Sequence, residues 1–239
     1  MAVRKVTAQD VKKSLNELGD SGIAEHLQRF FKTGKGEYGE GDRFLGVRVP
    51  VIRRQAKKYR VISLTEIGCL LKSAFHEERL CALLLLVDKF RSGSEAEREK
   101  IYKLYIGSTR YINNWDLVDS SASHVVGAWL ADKDKQLLYT FAESTSLWER
   151  RIAIMATFYF IRRGQFDHTL ELSEMLINDQ QDLIHKAVGW MLREVGNRDR
   201  ATEDAFLKIH YRKMPRTMLR YAIEKYPERI RKMYLHGQI

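Results

Sequence analysis

The stretch "HEERLCALLLLVDKF", residues 76–90, decides the fold class. Its apolar run, Cys81 to Val87, is seven residues long. That is far short of the ~20 residues a membrane span needs. It does not alternate as a half-buried strand does, and the chain lacks alternating β-branched runs joined by Asn-Gly or Asp-Gly turns. Charged residues flank the run. The stretch therefore reads as a helix buried in the interior, and the same periodicity continues on both sides of it.

Working outward, helical spans are predicted at 8–18, 21–33, 49–59, 63–73, 76–90, 95–108 and 114–130. Further spans follow at 134–143, 146–163, 168–177, 181–196, 200–212, 215–225 and 227–236. Three prolines, Pro50, Pro215 and Pro227, stand where a first helical turn tolerates them. Capping boxes are predicted at Ser63, Ser94 and Ser146, each with Glu three residues on. The Gly-rich segment "KTGKGEYGEGDRFLG", residues 32–46, lacks the Lys-Ser/Thr end of a P-loop and reads as a flexible loop. Paired helices recurring every ~40 residues indicate an all-α, HEAT-like helical-repeat solenoid, read as one domain over 1–239 with a concave basic groove.

The 239 residues carry a formal net charge of +10. Such a balance favours nucleic acid or an anionic surface as partner. Two cysteines, Cys69 and Cys81, lie in apolar helical surroundings and read as buried, reduced thiols of a cytoplasmic protein. The N-terminal segment turns charged at once and has no apolar signal core. No metal site is expected, since "HEER" lacks the second His of H-E-x-x-H and the other His residues are scattered. No catalytic-triad or dinucleotide pattern is present, and no cofactor is expected.

Four clusters carry candidate chemistry. In "YINNWDLVDSSA", residues 111–122, Trp115 and Asp119 are i and i+4 and share one helix face. An acid there repels a polyanion, so it reads as a residue meant to meet a positive charge, while Asp116 reads as a helix-start residue. The plain alternatives are a core indole and a solvated or ion-paired acid. In residues 144–164, Trp148 and Arg151 lie near a helix N-terminus, a favourable place for a phosphate. There the alternative is that Arg150 or Arg151 pairs with an acid. In residues 182–200, Gly189 sits mid-helix beside Trp190, with Arg193 and Glu194 on the next turn. Close helix packing is the common reason for such a glycine. In residues 211–235, Arg216 and Arg220 are one turn apart on a basic face that can track phosphates or simply face solvent.

Three of these motifs, "NNWDLVD", "LWERRIAI" and "HKAVGWMLRE", occur in this order with long helical spacers. Together they resemble the AlkD family of DNA alkylation repair glycosylases, over a region running from "FLGVRVPVIRR" at Phe44 to the C-terminus. The resemblance implies a HEAT-like fold and excision of positively charged N3- or N7-alkylpurines from duplex DNA. It puts the catalytic aspartate on Asp119, the two tryptophans at the lesion on Trp115 and Trp190, and the DNA-backbone arginine on Arg151. Arg150, Trp148, Arg193, Arg216 and Arg220 complete the DNA-contact candidates.

The chemistry suits these residues. A cationic purine leaves as a neutral base and needs little acid catalysis. What remains is to stabilise the positive charge on the deoxyribose, which a fixed carboxylate and two indole faces can do. No lysine stands out as a Schiff-base nucleophile, so a monofunctional enzyme is expected. It should act as a monomer on duplex DNA, with no membrane involvement. The alternatives are a non-enzymatic HEAT-like module that binds damaged or branched DNA, and a helical adaptor for protein partners.

Overall fold

The computed structural model describes residues 5–239. Met1 to Arg4, the start of the charged N-terminal segment, lie outside the described residues. The first helices are α1 (Ala8–Asn16), α2 (Ser21–Phe30), α3 (Val49–Lys58), α4 (Leu64–Leu71), α5 (His76–Ser92) and α6 (Glu95–Ile106). They are followed by α7 (Trp115–Asp119), α8 (Ala128–Leu130), α9 (Gln136–Ala142), α10 (Leu147–Ala156) and α11 (Phe158–Ile161). The last are α12 (Asp167–Met175), α13 (Asp182–Gly196), α14 (Arg200–His210), α15 (Arg216–Ala222) and α16 (Glu228–Leu235). Among the described residues there is no β-strand, only an isolated bridge between Arg43 and Phe75. No helix among the described residues is long and apolar enough to cross a membrane.

Side chains set the helix starts. Ser94 and Glu97 close a full capping box on α6, with the Ser94 amide donating to Glu97 at 2.8 Å. The other two expected boxes are half-made, because their glutamates serve longer-range partners. Ser63 caps α4, but Glu66 accepts instead from the Ala8 amide at 2.6 Å and so ties α1 to α4. Ser146 caps α10, while Glu149 takes the Ser144 hydroxyl. Pro50 lies in the first turn of α3, and Pro215 and Pro227 are the N-caps of α15 and α16.

Two expected long helices are broken. The span 114–130 is α7, a turn, a π-helical segment at Ser123–Gly127 and then α8. The Ser121 hydroxyl donates to the Leu117 carbonyl at 2.5 Å, the local competition that bends helices. The span 146–163 splits into α10 and α11 at buried Thr157, whose hydroxyl donates to the Ile154 carbonyl at 2.7 Å.

The chain divides into two compact units, Met1–Val125 and Val126–Ile239. In the first, α5 is the centre: α1, α3, α4, α6 and α7 all pack on it. Every residue from His76 to Leu86 is buried. A helix covered all round has no solvent face, which is why its apolar run lacks amphipathic spacing. Cys81 is buried with it, but Cys69 is exposed, contrary to the sequence reading. The inward side of α4 is taken by Ile67, Leu70 and Leu71, which leaves Cys69 facing out.

In the second unit, α10 packs on α13 and α13 on α15, with α9 and α12 against α10 and with α12 and α14 against α13. Such succession of neighbours is the helical-repeat architecture expected from the sequence. Gly189 explains the tight α13–α15 contact. A Cβ there would meet the Met218 carbonyl and lie 2.6 Å from the Tyr221 Cβ. Gly189→Ala should therefore lower stability by about 1–3 kcal/mol despite alanine's better helix propensity, read as a lower thermal midpoint. An unchanged midpoint would show that α13 and α15 can move apart freely.

Candidate functional site

Trp115 opens α7 and Asp119 closes it, so the two lie one turn apart on a single-turn helix, both half-buried. A five-residue helix has no stability of its own and must be held by its surroundings. Three supports hold this one. Buried Asn114 is the N-cap, its side-chain oxygen accepting the Trp115 amide at 2.9 Å. The Trp115 ring stacks on Phe31 at 5.2 Å, Phe31 stacks on Phe44 at 5.1 Å, and Phe44 stacks on the His76 ring at 4.6 Å. Phe30, 56 % exposed, meets the outer edge of Trp115 at 6.0 Å.

The third support is ionic. His76 sits between two carboxylates, with Nδ1 2.9 Å from Asp42 and Nε2 2.8 Å from Asp116. Asp42 also accepts from Arg79 at 2.7 Å, and Arg79 reaches the Asn113 side chain at 3.1 Å. A cation at a helix N-terminus opposes the dipole, so His76 at the start of α5 needs its acids. Burial by itself would lower the His76 pKa. The charge and hydrogen bond of Asp116, with Asp42 behind it, outweigh that and raise it to about 9. Burial pushes the Asp42 carboxyl up, but His76 and Arg79 overcome this and hold it below its ordinary value. Asp116 is thus the helix-start residue expected from the sequence, and it is also the tether of α7 to α5.

The neighbouring Gly-rich segment is pinned, where the sequence suggested a flexible loop. Buried Glu77 accepts three successive amides, from Leu45 at 2.9 Å, Gly46 at 2.8 Å and Val47 at 3.2 Å. Gly46 has φ +83°, and a Cβ there would strike the Asp20 carbonyl. Beneath α7, the buried Tyr105 hydroxyl meets Ser121 at 3.0 Å. Its pKa is pushed up by burial first; the Ser121 bond opposes the rise and the negative charge of nearby Asp119 adds to it.

In the second unit, buried Arg151 donates from α10 to the Leu183 carbonyl in the first turn of α13. Arg150 is held inside the unit, with Nε 2.6 Å from Asp179 and further bonds to the Ser144 and Thr145 carbonyls. Trp148 is half-buried in the first turn of α10. Half-buried Trp190 donates to Glu194 at 3.3 Å and lies 6.3 Å from the Phe158 ring. Arg193 pairs with Glu224. Arg216 is exposed and donates to the Leu235 carbonyl, and Arg220 is exposed. The structure thus brings Trp115 and Asp119 together in the first unit and packs the helices of Arg151 and Trp190 together in the second. Among the described residues no group of His, Cys, Asp and Glu could hold a metal ion.

Sequence reasoning passed over Asp42, His76, Arg79 and Phe31. Its available signal was "HEER" itself, four ionisable residues in a row at the head of a buried helix.

Residues 11–226 match the family described as DNA alkylation repair enzyme. The chain belongs to the DNA alkylation repair enzyme family. That membership assigns it to the repair of alkylated DNA. Two solved structures share the fold. One is a predicted DNA alkylation repair enzyme from Enterococcus faecalis, with a TM-score of 0.69 and 16 % identity over 88 % of this chain and 97 % of that one. The other is smu.31 from Streptococcus mutans UA159, with a TM-score of 0.52 and 14 % identity over 92 % of this chain and 99 % of that one. No protein of curated function matches the chain.

The His76 cluster sets a pH window for this repair-family chain. A folded pKa near 9 against an ordinary 6.5 makes the His76 contribution full below pH 6.5 and lost as pH rises through 9. The lowered Asp42 contributes above its ordinary 3.8 and is lost as pH falls. Thermal midpoints should therefore be highest at mildly acid pH and decline towards pH 9. His76→Gln should cost a few kcal/mol near neutrality and flatten the alkaline decline. A variant that keeps the wild-type profile would remove His76 as its source.

Proposed function

We propose that this chain is a monofunctional DNA glycosylase that hydrolyses the N-glycosidic bond of N3- and N7-alkylated purines in duplex DNA. The observation that carries the reading is the pair on α7, a half-buried indole and a half-buried carboxylate one turn apart on a helix fixed from three sides. Family membership supplies alkylated DNA as the substrate.

Alkylation at N3 or N7 makes the purine cationic, so the base departs neutral. Positive charge then builds on the deoxyribose as the bond lengthens. Asp119 stabilises that charge and orients the attacking water. The Trp115 face adds cation–π attraction and displaces solvent, which strengthens the carboxylate's field. Fixing α7 matters because preorganised charge does this work only if it need not move during the reaction. The resemblance adds Trp190 as a second indole face and Arg151 as a backbone contact, although the Arg151 guanidinium is buried here and donates to the Leu183 carbonyl. Recognition then follows the charge of the lesion more than its size.

Incubation with methylated duplex DNA should release 3-methyladenine or 7-methylguanine. Asp119→Asn should slow single-turnover release by about 10²–10³-fold, the scale for losing one electrostatic stabiliser. Its duplex affinity should be equal or slightly higher, since a charge that repels phosphate is gone. No base release by the wild type at high enzyme concentration would sink the proposal. A loss of binding in the variant would assign Asp119 a structural role.

A further inference from the structure

A cleft of about 430 Å³ lies between α3 and α5, lined by Arg53, Lys57, Arg60 and Arg91 over a floor that includes Leu84 and Val87. Its charge is one-sided. The single acid in the lining, Asp88, is engaged by Arg91 at 2.7 Å. Arg53, Lys57 and Arg60 are exposed and ion-pair with no other described residue. They stand at i, i+4 and i+7, one stripe along α3 and its C-terminal extension, with ~6 Å of rise between the first two. Some arginines elsewhere are matched to acids, as Arg150 is to Asp179 and Arg193 is to Glu224; what sets Arg53, Lys57 and Arg60 apart is that they line one cleft together.

Favouring a helix C-terminus accounts for cations in the last turn of α3. It does not account for Arg53, nor for a cleft whose apolar floor lets long side chains lie flat with their charges outward. Three like charges in one line repel each other only mildly in water, but together they attract a polyanion. We infer that the α3–α5 cleft is a phosphate-binding track for one strand of DNA, made by Arg53, Lys57 and Arg60, and that it reads no base. A continuous strand fits a linear stripe of separated charges better than one compact anion does. The track would set affinity for undamaged DNA, on which a repair protein must search. The inference rests on DNA as the polymer, which family membership supplies, and not on the glycosidic chemistry.

Its test uses the full chain and an undamaged duplex, so base release plays no part in the outcome. Each neutralised phosphate contributes a slope of about 0.9 to the fall of log K with log salt. The triple variant Arg53→Gln, Lys57→Gln, Arg60→Gln should flatten that slope by about 2 to 3 relative to the wild type. The positions are exposed, so its circular dichroism and melting should match the wild type. Should the triple variant not fold, Lys57→Gln alone should still flatten the slope by about 0.9. Equal slopes for folded variant and wild type would overturn the inference.

Discussion

The buried ion pair of His76 with Asp42 and Asp116 is the contact on which the first unit depends. One imidazolium joins three places far apart in the sequence: the Gly-rich segment, the head of α5 and the first turn of α7. Removing such charges from water is expensive, and their attraction offsets the cost only when the remaining polar atoms are also bonded. Here they are largely bonded. Asp42 has Arg79 as well as His76, and Asp116 accepts the Leu117 amide at 2.9 Å. Such a cluster contributes less to net stability than to uniqueness, because few other packings satisfy all its members.

The consequence reaches the candidate site through geometry. α7 is one turn long, and the two candidate side chains, Trp115 and Asp119, stand at its ends. Asp116 ties the helix to α5 on one side, and the stacked rings of Phe31, Phe44 and His76 support Trp115 on the other. Asp116 and Asp119 are three residues apart and do opposite things. One neutralises a cation of the fold, and the other is the carboxylate we propose for the cation of the substrate. Glu77 adds the neighbouring loop by accepting three amides at once. The four residues "HEER" thus act as a junction for segments on every side of α5.

Much of this was legible in the sequence, for identifiable reasons. Helix positions follow from periodicity and caps, which are local, so the start of α7 and the Asp116 role could be read directly. Breaks at Ser121 and Thr157 were missed because a hydroxyl that bonds back to a carbonyl leaves the apolar spacing intact. The His76 cluster was missed because its members are 34 and 40 residues apart, and nothing local marks them as partners. Arginines were the least legible residues. "ERR" does not reveal that Arg150 will meet Asp179, and the unpaired Arg53, Lys57 and Arg60 look no different in sequence from cations that are matched.

The most direct measurement is a pH titration of the His76 ring by NMR. The account predicts that the ring stays protonated through neutrality and titrates near pH 9, and that Asp116→Asn moves the midpoint down. A His76 midpoint at or below 6.5 in the wild-type protein would contradict it, because the ring would then be neutral and α7 would lack its ionic tether.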